Sequence, residues 1–97
     1  MKFTIHEAAE RELLEAARYY RDRGGAELAD GLLDEFERAY GLLRAYPYIG
    51  AAWRRETRLL PIERFPYSLV YYVKFDEVRI VAFAHQSRRQ GFWRKRR

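Results

Sequence analysis

Apolar positions along the chain change period. From Glu7 to Asp22, Ala9, Leu13, Ala16, Ala17 and Tyr20 recur at helical spacing, while Glu10, Arg11, Glu12, Glu15 and Arg18 supply a wet side. A short amphipathic helix is predicted there, stopping at Gly24 and Gly25. From Ala26 to Ala45, Ala29, Leu32, Leu33, Phe36, Ala39, Tyr40 and Leu43 form one apolar stripe opposite Glu27, Asp30, Asp34, Glu37 and Arg38. The acidic first turn of this second helix suits the helix dipole. With only a Gly-Gly link between them, the two helices are expected to lie antiparallel as a hairpin. His6, just before the first helix, reads as a surface or capping residue.

Beyond Pro47 and Gly50 the period shortens to two. Tyr67 to Phe75 and Val78 to Ala84 are rich in strand formers and are separated by Asp76 and Glu77, which predicts a β-hairpin. A further strand is expected within Arg55 to Ile62, with Pro61 at an edge or bulge, and Lys2 to Ile5 reads as a short first strand. Strict alternation would set Tyr67, Leu69, Tyr71, Val73 and Phe75 on one face, and Val78, Ile80, Ala82 and Ala84 opposite Arg79, Val81, Phe83 and His85. Both faces then carry apolar groups, so helices on one side leave the other to be covered by the tail or by a partner. The element order is β-α-α-β-β-β. It predicts an α+β fold, a two-helix hairpin packed on a mainly antiparallel twisted sheet, in a single domain spanning residues 1–97.

Composition narrows the possibilities. Ninety-seven residues, 48% hydrophobic, suit one domain with its own core. The absence of cysteine removes disulfides and thiolate metal cages, and His6 and His85 stand far apart without a carboxylate pattern, so neither metal nor cofactor is expected. No run approaches the roughly 20 apolar residues that cross a bilayer, so no membrane partner and a cytoplasmic location are expected. The net charge of +5 conceals a division. Residues 1–50 hold seven Lys or Arg against ten Asp or Glu, and residues 51–97 hold twelve against four. A basic half of this kind implies an acidic partner, either nucleic acid or an acidic protein segment.

The chain resembles the RelE/ParE superfamily of toxins from type II toxin-antitoxin systems, most closely its ParE or plasmid-stabilisation branch. The resemblance rests on an Ala-rich helix ending in Tyr19-Tyr20, a long second helix and the Pro47 to Gly50 turn. It continues through Arg64-Phe65-Pro66-Tyr67, Leu69-Val70-Tyr71, Val81-Ala82-Phe83-Ala84-His85 and Arg88-Arg89. It implies a toxin that inhibits DNA gyrase by binding and is neutralised by a cognate antitoxin in a hetero-oligomer. Target or antitoxin contacts would fall on Tyr71, Phe83, Arg88, Arg89, Trp93, Arg94 and Arg96.

The alternative it implies is a RelE-like enzyme, a ribosome-dependent mRNA endonuclease. There His85 would exchange protons while Arg64, Arg88 and Arg89 stabilise the charged transition state. Near the end of the chain, where such enzymes carry a terminal Tyr or His, Trp93 stands instead. An indole can stack on a base but cannot act as acid or base, which favours a protein-binding gyrase poison.

Overall fold

The computed structural model describes residues 1–88 and 91–97. Its centre is β5 (Glu77–His85), flanked by β1 (Lys2–Ile5) on one side and β4 (Tyr67–Lys74) on the other. The sheet continues through β3 (Arg58–Pro61) to a two-residue edge strand, β2 (Ala51–Ala52). Three of the four pairings are antiparallel, but β1 runs parallel to β5, from Lys2 opposite Glu77 to Ile5 opposite Ile80. The sheet is therefore mixed, which alternation within single strands does not reveal. β2 and the turn at Arg54–Glu56 are additions to the expected order.

The helices also depart from expectation. In place of two separate helices, one helical run, α1 (Glu7–Ala45), extends over 39 residues with a single backbone break at Gly25 (φ 84°, ψ 178°). A straight helix of that length would measure about 58 Å, whereas the longest extent of the molecule is 40 Å. The run must therefore change direction at Gly25. No loop intervenes because one residue absorbs the break, in a conformation open essentially to glycine alone. Both arms feed the same core. Ala9, Leu13 and Ala16 join Leu32, Phe36, Ala39 and Leu43, spaced by three and four residues, against Leu69, Tyr71, Val78, Ile80 and Phe83 of the sheet.

At the start of α1, His6 is the cap. Its Nδ1 accepts a hydrogen bond from the Ala8 N–H at 2.9 Å. At the far end, the Tyr46 N–H donates to the Leu42 carbonyl at 2.7 Å, and Pro47 follows. The chain then passes Gly50, whose N–H donates to the buried Tyr71 hydroxyl at 2.8 Å. A Cβ at Gly50 would stand 2.8 Å from that oxygen, so this glycine is required by close approach. Burial pushes the Tyr71 phenol up, and it stays protonated at neutral pH.

Strict alternation fails in β5. Tyr71 pairs with Ile80 and Val70 with Ala82, which leaves Val81 as an extra residue, a β-bulge. Val81 and Ala82 both join the cluster on the side away from α1, and Phe83 returns to the helix side. The expected face of Val78, Ile80, Ala82 and Ala84 is thus split at its middle. The β4–β5 turn shifts as well, since β4 ends at Lys74 and the turn falls on Phe75 and Asp76 rather than on Asp76 and Glu77.

Two outcomes follow from these local geometries. Gly25→Ala should lower stability by about 1–3 kcal/mol through backbone strain alone, since nothing lies within 4 Å of the added Cβ. An unchanged urea midpoint would contradict a break at that residue. Burial, then the nearby Arg79 and Arg96 guanidiniums, holds the His6 imidazole below its ordinary value. Its contribution to stability is complete above the unfolded value of about 6.5 and is lost as pH falls through the lower folded value. His6→Asn keeps a capping group that does not titrate there. The drop in denaturation midpoint from pH 7.5 to 5.5 should therefore be smaller than in the parent; an equal drop would exclude His6 as its source.

Candidate functional site

The arrangement at the carboxyl end of β5 begins with a backbone problem. β4 pairs with β5 along its whole length, but β1 covers the other side only as far as Ile80, whose carbonyl accepts from the His6 N–H at 2.8 Å before the chain turns into α1. Beyond that point β5 would present bare N–H and C=O groups on this edge, which is costly where water is excluded. Side chains close it. Glu12, on α1 and only 11% exposed, accepts from the Phe83 N–H at 3.1 Å. Arg96, from the C-terminal tail, donates to both Glu12 oxygens at 2.8 and 3.1 Å and to the Val81 carbonyl at 2.9 Å. Arg88 donates to the second Glu12 oxygen at 2.8 Å. One carboxylate thus gathers two guanidiniums and a strand amide, the bidentate geometry that arginine provides.

The same contacts fold the tail back onto the sheet. Trp93, 3% exposed, packs with Val70, Val81, Ala82 and Ala84 on the face opposite α1. Phe92 lies under both cations, its ring centroid 3.8 Å from the Arg88 guanidinium carbon and 5.0 Å from that of Arg96. Of the two expected covers for this apolar face, the tail supplies one.

On the helix side, His85 ends β5 beside a shallow groove lined by Glu12, Glu15, Tyr19, Tyr67, Phe83 and Arg88. Its Nδ1 accepts from the Ser87 N–H at 3.0 Å and lies 2.8 Å from the Ser87 hydroxyl, which assigns the ring proton to Nε2. Its ring meets Tyr67 edge-on at 5.1 Å. Burial raises the Tyr67 phenol, with Tyr20 and Tyr19 adding to the effect, so Tyr67 serves this groove as a protonated hydroxyl.

The residues singled out from sequence therefore separate. His85 and Arg88 line one groove. Arg64 does not join them; its guanidinium lies against Gly31 of α1 and over the Phe65 ring at 5.2 Å. Tyr71, Phe83 and Trp93 are interior side chains of this chain. Arg94 is exposed and Arg96 is paired with Glu12. Arg89 lies outside the described residues. Among the described residues, no three His, Asp or Glu side chains come together as metal ligands. The residue that sequence reasoning missed is Glu12. It stands among helix-surface charges, 71 positions before its partner Phe83, and no local pattern marks it.

Comparison with known proteins places this geometry in context. Residues 3–90 match the family model described as the ParE toxin of type II toxin-antitoxin system, parDE. A solved chain from the chromosomal ParDE TA system of P. aeruginosa superposes with a TM-score of 0.79 at 23% sequence identity, over 88% of this chain and 95% of that one. No curated protein sequence matches.

Removing the Glu12 carboxylate tests the closure of the edge. Glu12→Ala should lower stability by about 2–3 kcal/mol, below the roughly 3–5 kcal/mol of a fully buried pair because Arg88 is half exposed. Freed from its anchor, Trp93 should shift its fluorescence to the red. An unchanged midpoint and emission maximum would show that the tail is held by other contacts.

Proposed function

Because the chain belongs to the ParE toxin family of type II toxin-antitoxin systems, we propose that it works by binding, inhibiting DNA gyrase and being silenced by a cognate antitoxin. The observation that carries this reading is the extent of the family match, which runs from β1 through α1 and the whole sheet into the tail. The fold shared with the P. aeruginosa chain is consistent with it. Gyrase is a cytoplasmic target, so the cytoplasm is the proposed place of action, and no described helix is long and apolar enough to cross a membrane.

The partner-facing groups proposed are those the fold leaves accessible. Arg88 and His85 line the helix-side groove next to Tyr19, and Arg94 projects from the tail. Tyr71, Phe83 and Trp93 contribute from beneath, by fixing the backbone that carries these groups. Arg88 carries a further constraint, since replacing it with Glu would set a like charge against Glu12 and disturb the tail as well as any partner contact. No particular observation favours the endonuclease alternative: Arg64 stands apart from His85, and the His85 Nδ1 is engaged by Ser87.

A supercoiling assay with purified gyrase tests the proposal. Titrating in the chain should abolish supercoiling and accumulate cleaved DNA, and the antitoxin should relieve both effects. Unchanged supercoiling by a folded, growth-inhibiting sample would overturn the gyrase reading and move attention to the ribosome.

A further inference from the structure

A second concave surface lies on the other face of the sheet, away from α1 and away from the His85 groove. Its walls carry Arg55, Lys74, Arg94, Arg96 and Arg97, interleaved with Tyr72, Phe75 and Trp93, and no acidic side chain lines it. Arg96 is held by Glu12, and Lys74 makes an exposed 3.0 Å pair with Glu56. Among the described residues, Arg55, Arg94 and Arg97 make no ion pair. Three free cations and a weakly held fourth therefore face one groove.

The two turns that frame this groove are both strained. Arg55 and Glu56 have φ of 57° and 61°, and Phe75 and Asp76 have φ of 52° and 60°. Tight hairpin turns of this hand select Asn, Asp and Gly, and a bulky side chain there is an outlier. Nor does packing explain Phe75, which is 97% exposed. The fold thus holds a cation and an aromatic ring in unfavourable backbone conformations at the rim of the same basic groove. Strain without a packing reason points to a binding role.

We propose that this groove binds single-stranded nucleic acid, with Arg55, Lys74, Arg94 and Arg97 tracking the phosphates and Phe75 and Tyr72 stacking on bases. Interleaved cations and accessible rings are the chemistry of a sequence-tolerant single-strand site. An acidic peptide would satisfy the cations but would leave the exposed Phe75 without a purpose. The inference does not depend on gyrase being the target, because it concerns direct contact between this chain and nucleic acid.

Fluorescence anisotropy with the full chain and a labelled oligothymidylate of about ten nucleotides, a length within the range such grooves cover, tests it. The parent should bind, and the affinity should fall as salt rises. Phe75→Asn suits the turn better than phenylalanine, so it should raise the unfolding midpoint while weakening binding about tenfold. Arg94→Gln with Arg97→Gln should reduce the salt slope by about 1.4, two phosphate contacts' worth on a single strand. Equal binding by Phe75→Asn and the parent would overturn the stacking role. A polyglutamate peptide that competes as well as the oligonucleotide would assign the groove to an acidic protein segment instead. Absence of parent binding at low salt would overturn the proposal outright.

Discussion

The fold depends on how one short edge of β5 is closed. Because β1 turns away after Ile5, Phe83 and Val81 would face outward with unpaired backbone groups, and Glu12 and Arg96 take the place of the missing strand. The pair does more than satisfy an amide and a carbonyl. Fixing Arg96 brings the tail across the sheet, seats Trp93 over Val70 and Ala84, and sandwiches the sheet between α1 and the tail. The bulge at Val81 belongs to the same device. By inserting one residue it sends Ala82 to the tail side with Val81 and turns Phe83 into the helix-side core, where strict alternation would have set it on the opposite face.

This closure also changes the meaning of the charge division. The acidic first half and basic second half are not two separate fields, since Glu12 neutralises part of the tail internally. Of the other cations, Arg55, Lys74, Arg94 and Arg97 line one groove on the sheet face away from α1. The chain therefore offers two chemically distinct surfaces. One is a groove of His85, Arg88 and tyrosines beside α1; the other is a basic, aromatic-edged groove beyond the tail.

Much of this was legible in sequence where a periodic pattern set the structure. The stripe of Leu32, Phe36, Ala39 and Leu43 and the strand-forming runs around Leu69 and Ile80 identify the core because burial imposes period. Resemblance carried the family, and the match over residues 3–90 agrees with it. What escaped depends on single residues or distant pairs. Gly25 alone breaks α1 without a loop, Val81 alone reverses the face of Phe83, and the parallel pairing of β1 joins residues more than seventy positions apart. Glu12 looked like any solvated helix charge. The tail was one of two covers expected for the apolar face, but what anchors it was not legible: Trp93 and Arg96 draw it in because the sheet leaves an apolar face and an open edge together.

Hydrogen exchange at the Phe83 amide addresses that closure most directly. If Glu12 and the tail complete the edge of β5, this N–H should exchange as slowly as those paired with β4, and should become fast when Arg96 is replaced by Ala. An amide that exchanges at a loop-like rate in the intact chain would contradict the idea that tail and sheet form one cooperative unit.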